Sequence, residues 1–287
     1  MAPAPRTAAE PAARFRDLLT AEWVKLWTLR STYWVLGLGI VAMIGIAAND
    51  ARNDMVALSH PNPIPAGLPK ALLQKKSGPY DALGPAFVLP AYQIFAIITG
   101  SVGAIAVFSE YSTGLVRTTF SAVPDRRATT AAKVTVMTAA MLAVGAVTST
   151  ASFYIVQAIV HSHHVDIPIT APGAERAVCA STLFAPVCAL SGMAIAALLR
   201  HSAASVLTSM AVLLVLPEFF TGDRYEWVKS TGNAMPWVAW TRLVDNPAAP
   251  HDWGKWPETI QESWTVYGLW FLVSAITAVV VVHRRDV

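Results

Sequence analysis

Phe108-Ser-Glu-Tyr-Ser-Thr-Gly-Leu-Val-Arg-Thr-Thr-Phe-Ser-Ala-Val-Pro-Asp-Arg-Arg127 is a compact polar stretch held between two long apolar runs, Ala82 to Ser109 and Val134 to Val160. Crossing a bilayer takes about 20 mostly apolar residues, and both runs exceed that. The polar stretch is too short, and its charges too well spaced, for a folded soluble domain. It reads as the connection between two membrane spans: either a solvated turn, or an element placed to receive something from the cytosol.

The composition agrees with a chain that lives largely in lipid. Of 287 residues, 54% are hydrophobic and only 14% charged, where soluble domains carry about 25% charged residues. A net charge of +3 gives nucleic-acid binding no electrostatic support. The two cysteines, Cys179 and Cys188, fall in one apolar segment; they read as packing residues rather than as a disulfide or zinc site.

Working outward, residues 1–13 are rich in Ala and Pro and read as a disordered tail, not as a signal peptide. From Arg14 to Arg30, Phe15, Leu19, Trp23 and Leu26 recur at helical spacing, with Asp17, Thr20, Lys25 and Thr28 on the other side. Arg16 and Glu22 intrude on the apolar arc. Trp, Lys and Arg on such a helix suit the membrane interface. The rest of the chain, 31–287, holds six predicted spans, at about 31–49, 86–109, 134–160, 177–199, 202–222 and 263–282. Pro85 and Pro90 predict a late start or kink in the second. The fifth is marginal without Glu218 to Gly222. The fold class expected is an all-α integral membrane protein with six transmembrane helices.

Lys and Arg set the orientation. Arg6, Arg14, Arg16, Lys25 and Arg30, then Arg117, Arg126, Arg127 and Lys133, then Arg200, and finally Arg284 and Arg285 fall on one side. Both termini are therefore expected in the cytosol, with the chain multi-pass in the cell membrane. Of the opposite loops, Asp50 to Asp81 reads as irregular. His161, His163, His164 and Asp166 form a cluster that more often arises by chance than as a metal site. Asp223 to Glu262 carries Trp227, Trp237, Trp240, Trp253 and Trp256, which predicts short helices on or in the outer leaflet. Small residues recur at Ala96, Gly100 and Ala104, at Thr99 and Gly103, and at Ala189, Gly192 and Ala196. These stripes allow close helix packing, within one chain or across a dimer.

The chain contains no GxxxxGK[ST], G-x-S-x-G or H-E-x-x-H, so an enzyme is not expected. The spans carry almost no acid or base that could bind a driving ion; Glu218 comes nearest, as an interfacial acid. A transporter built this way needs an external source of energy.

At this point two motifs resemble a known family. Ala21-Glu-Trp-Val-Lys-Leu-Trp-Thr-Leu-Arg-Ser-Thr-Tyr-Trp34 is similar to the opening of an ABC transporter permease of the type-2, exporter-like class. Phe108 to Arg127, continuing to Ala132-Lys133, resembles that family's segment between the second and third spans. The resemblance implies that the first helix is a connecting helix, with Glu22, Trp23, Lys25 and Arg30. It also implies that the central stretch holds a coupling helix docking on a separate ATPase subunit, with Glu110, Tyr111, Gly114, Arg117, Phe120, Pro124, Arg126 and Arg127. Tyr111 and Phe120 would be its buried anchors, Arg117 a charge partner and Gly114 the point of bending. ATP would be used by the partner, so this chain would bind no cofactor or metal. The implied assembly is two permease subunits, identical or different, with two ATPases, exporting an amphiphilic drug, lipid or peptide. The alternative is a membrane regulator or immunity component on the same scaffold.

Overall fold

The computed structural model describes residues 14–28, 30–60, 80–112, 125–199, 201–222, 224–249 and 253–284. Among them there is no β-strand, and nine helices carry the fold. In chain order they are α1 (Phe15–Thr28), α2 (Arg30–Ser59), α3 (Leu89–Ser112), α4 (Arg126–Val160) and α5 (Ala174–Leu199). They continue with α6 (Ser202–Glu218), α7 (Glu226–Asn233), α8 (Pro236–Val244) and α9 (Ile260–Arg284).

Five helices, α2, α3, α4, α5 and α9, are long and apolar enough to cross a membrane. This is the architecture of a membrane-embedded protein. The fifth predicted span is shorter than expected: α6 stops at Glu218, with a π-helical turn at Ala211–Val215. At 1.5 Å per residue it reaches about 25 Å, against about 30 Å of hydrocarbon. The first predicted span runs the other way. α2 continues past Asn49 to Ser59, so the beginning of the predicted irregular loop is helix. It reaches about 45 Å and carries the half-buried Asp50 and Asp54 beyond the apolar stretch. Asp54 accepts the Tyr80 hydroxyl at 3.3 Å.

Local chemistry sets the other boundaries. Pro85 starts a 3-10 turn, Gly84–Phe87, and α3 follows from Leu89, the late start its prolines predict. α4 begins well before Val134 because Asp125 caps it, accepting from Arg127 N at 3.1 Å and Ala128 N at 3.0 Å. α5 and α6 meet at the short joint beside His201, whose Nδ1 accepts from Ala204 N at 3.3 Å. They form the tight hairpin that so short a joint requires.

The core sits around α5, which packs against α3, α4, α6, α8 and α9. Of its apolar window 72% is buried, against 22% for α2 and α9. Small residues make this possible, and they meet within one chain. A methyl group on Gly103 would collide with the Ala189 carbonyl, and one on Gly192 with the Gly100 carbonyl. Ala104, Ala189 and Ala196 are fully buried along the same contact. Across the α4–α5 contact, Gly145 lies against the Thr182 carbonyl. That carbonyl is the one whose i+4 partner, Pro186 inside α5, has no N–H to donate. Ser149 Oγ and Thr182 Oγ1 add a hydrogen bond at 2.8 Å beside it.

The tryptophan-rich segment does form short helices, α7 and α8, but two of its rings leave the interface for the protein interior. Trp237 and Trp240 are 4% and 0% exposed. Trp240 stacks on Tyr92 at 4.4 Å and on Trp237 at 5.1 Å, and donates from Nε1 to Ser181 Oγ at 3.1 Å. A partner for the indole N–H lets so large a ring sit in the core. Trp227 stays on the surface. Both cysteines are free, Cys188 buried and Cys179 exposed.

Close backbone contact makes a clear prediction. Gly192→Ala and Gly103→Ala overpack the α3–α5 contact and should each cost about 1–3 kcal/mol in unfolding of the detergent-solubilised protein. Gly45→Ala, with nothing within 4 Å of the new carbon, should be neutral or slightly stabilising in the same titration.

Candidate functional site

The described parts of the two segments that carry the resemblance meet through Glu22 and Lys133 at one end of the bundle. α1 lies across α4 and touches α2. Its first turn is closed by the Arg14 N–H donating to Asp17 Oδ2 at 3.0 Å. Its packed face is Leu18, Glu22 and Leu26, one residue per turn. This differs from the apolar arc read from the sequence. Phe15 and Trp23 are each 46% exposed, Leu19 is only half-buried, and the acid faces inward. Hydrophobicity alone does not put an acid there.

Charge pairing does. Glu22 is 5% exposed. Its Oε1 meets Lys25 Nζ at 2.6 Å and its Oε2 meets Lys133 Nζ of α4 at 3.2 Å. The same Lys133 ammonium donates to the Ala106 carbonyl of α3 at 3.2 Å. One cation thus ties α1, α3 and α4 together, beside the stretch that joins α3 to α4. Taking two charges out of water is costly unless each finds good partners, and here the acid has two cations while Lys133 has an acid and a carbonyl.

Of the predicted coupling residues, Glu110, Tyr111, Arg126 and Arg127 belong to helix turns at the same end. Glu110 and Tyr111 fall in the last turn of α3, and Arg126 in the first turn of α4. The side chains of these three lie outside the described residues, as does that of Arg30, the first residue of α2. Gly114, Arg117, Phe120 and Pro124 lie wholly outside them. Arg127 is exposed. Of the predicted connecting-helix residues, Trp23 is on the open face, while Glu22 and Lys25 belong to the ion-pair cluster. Sequence reading did not single out Lys133 as Glu22's partner. The signal was there: an acid on the apolar side of a helix calls for a cation at the same level.

At the other end, His161 Nδ1 contacts Asp166 Oδ1 at 3.0 Å and His163 Nε2 lies 3.4 Å from Ser59 Oγ. Among the described residues no three of His, Cys, Asp or Glu are placed to hold a metal ion. Glu218 is exposed where α6 ends. The sequence matches no family model and no curated protein.

The Glu22–Lys133 contact generates the next prediction. Glu22→Met leaves the largely shielded Lys133 ammonium without its acid and should cost about 3 kcal/mol of stability. Adding Lys133→Met should recover most of the loss. A double-mutant cycle, read by denaturing-detergent titration, gives the coupling, and simple additivity would mean that the pair does not interact.

Proposed function

We propose that this chain is the membrane-spanning subunit of an ATP-driven transporter, similar to ABC permeases of the type-2, exporter-like class, and that it works with a separate ATPase. The observation that carries this reading is the Lys133 junction. A partner docked on residues 110–127 would push on the end of α3 and the start of α4. Lys133 links those two helices to each other and to α1, so the push would reach three elements together.

In this reading α1 is the connecting helix, lying in the cytosolic membrane interface with Phe15 and Trp23 toward lipid. The stretch between α3 and α4 holds the coupling helix. α6 makes the fifth of six crossings, the bilayer thinning or the flanking Phe219 to Gly222 helping it across. α7 and α8 form an outer helical hairpin. Both termini are cytosolic, on the side where the cations collect. Two such subunits associate, through the lipid-facing helices α2 or α9, which the bundle leaves most open. The substrate is amphiphilic, because the spans are apolar and nearly uncharged. The energy comes from ATP bound by the partner, and this chain binds none.

Affinity purification of the chain in mild detergent tests the reading. An ATPase subunit should co-purify. Tyr111→Ala combined with Arg117→Glu should leave membrane abundance near normal, because neither residue is inside a span, yet abolish the association and any substrate-dependent ATP hydrolysis. Retention of both at wild-type levels removes the coupling role. A chain that never associates with an ATPase supports a regulatory or immunity role instead.

A further inference from the structure

Glu258 lies in the segment that leads from α8 into α9, at the end of the bundle opposite Lys133. It is 5% exposed, and among the described residues neither of its carboxylate oxygens has a partner in hydrogen-bond geometry, although the Ser263 hydroxyl lies close enough to favour the ionised form. An ionised carboxylate held in this way gives up its hydration for less than it loses, whereas the protonated group is merely a buried polar one.

The groups around it leave it in that state. From α8, Arg242 donates from Nε to the main-chain carbonyl of Glu258 at 2.8 Å and from Nη1 to Asp245 Oδ2 at 3.2 Å. Its guanidinium also lies 5.0 Å from the Trp253 ring. The nearest cation thus holds the segment's backbone rather than its carboxylate. From α9, Glu262 adds a second negative charge, the Ser263 hydroxyl donates to the Thr259 carbonyl at 3.0 Å, and the buried Tyr267 hydroxyl has no hydrogen-bond partner among the described residues. α3 contributes the buried Tyr92 hydroxyl and α5 the buried Cys188 thiol, both close to Tyr267. From α7, Asn233 Nδ2 donates to the Trp256 carbonyl at 3.2 Å, beside this segment.

We propose that Glu258 is a proton-binding site: protonated, it seats residues 253–259 against the bundle, and ionised, it releases them toward water. Burial raises the carboxyl's pKa to about 7; Ser263 and Arg242 oppose the rise and Glu262 adds to it. The seated state therefore binds a proton that the released, hydrated carboxyl gives up at its ordinary, lower value. Seating is strongest below that ordinary value, weakens as pH rises, and is weakest above about 7. The inference does not depend on the transport reading.

Hydrogen exchange of the full chain in lipid nanodiscs tests it, with wild type and Glu258→Gln read at matched pH so that intrinsic exchange cancels. Gln mimics the protonated acid. Between about pH 6 and about pH 8, opening at residues 253–259 should rise about tenfold in wild type relative to the variant. A ratio that stays flat overturns the proposal. Infrared difference spectra of wild type give a second reading that needs no variant. A protonated-carboxyl band lost with a midpoint near about 7 is expected, and no such band titrating above about pH 6 overturns the proposal.

Discussion

The fold rests on backbone contact. Lipid offers helices no hydrophobic reason to associate, so they hold together by packing closely enough for dispersion and polar contacts to act. α5 achieves this on two sides at once. Gly103 and Gly192 bring it against α3, and Gly145 brings α4 against the Thr182 carbonyl. Pro186 contributes by leaving that carbonyl without its helical donor. The remaining long helices, α2 and α9, touch this centre on one face and leave apolar side chains such as Leu38, Val41, Leu272 and Ile276 on the outside, where lipid or another subunit meets them.

Polar ties close both ends of this apolar middle. At the α1 end the tie is ionic, Glu22 to Lys133, with a branch to the Ala106 carbonyl. At the far end it is mostly hydrogen bonding to main chain. Gln157 donates to the Ala82 carbonyl and accepts from Ile167 N, both at 2.9 Å. Arg176 donates to the Leu243 carbonyl at 2.9 Å and also to that of Asp245. Asp81 holds its own turn and receives Asn246 Nδ2 at 2.8 Å. α8 is thus fastened to the bundle by neutral and cationic donors, and Glu258 is the one place in that seam where an acid is buried without a hydrogen bond among the described residues.

Much of this was legible in the sequence. Length and apolarity located the five long helices, the prolines at 85 and 90 predicted the late start of α3, and the small-residue stripes marked the α3–α5 contact. Other features needed three dimensions. Where α4 begins depends on the Asp125 cap rather than on hydropathy, and α2 runs on past its apolar stretch. Trp237 and Trp240 resemble interfacial tryptophans until Ser181 and Tyr92 are seen to receive the latter. The inward face of α1 was misread because periodicity ranks Glu22 as a misfit, and its partner lies more than a hundred residues away in sequence. Glu258 was hidden for the same reason: an acid in a polar loop gives no local sign of burial.

The functional account stands or falls on which side of the membrane holds the α1 end, since a coupling segment outside the cell could not meet an ATPase. Labelling single cysteines with an impermeant thiol reagent, on a Cys179→Ala, Cys188→Ala background, measures this directly. Thr20 is exposed on α1 and Thr170 is exposed in the turn before α5. The account predicts that Thr170→Cys is labelled in intact cells and Thr20→Cys only after permeabilisation. Labelling of Thr20→Cys in intact cells, with Thr170→Cys protected, would contradict it.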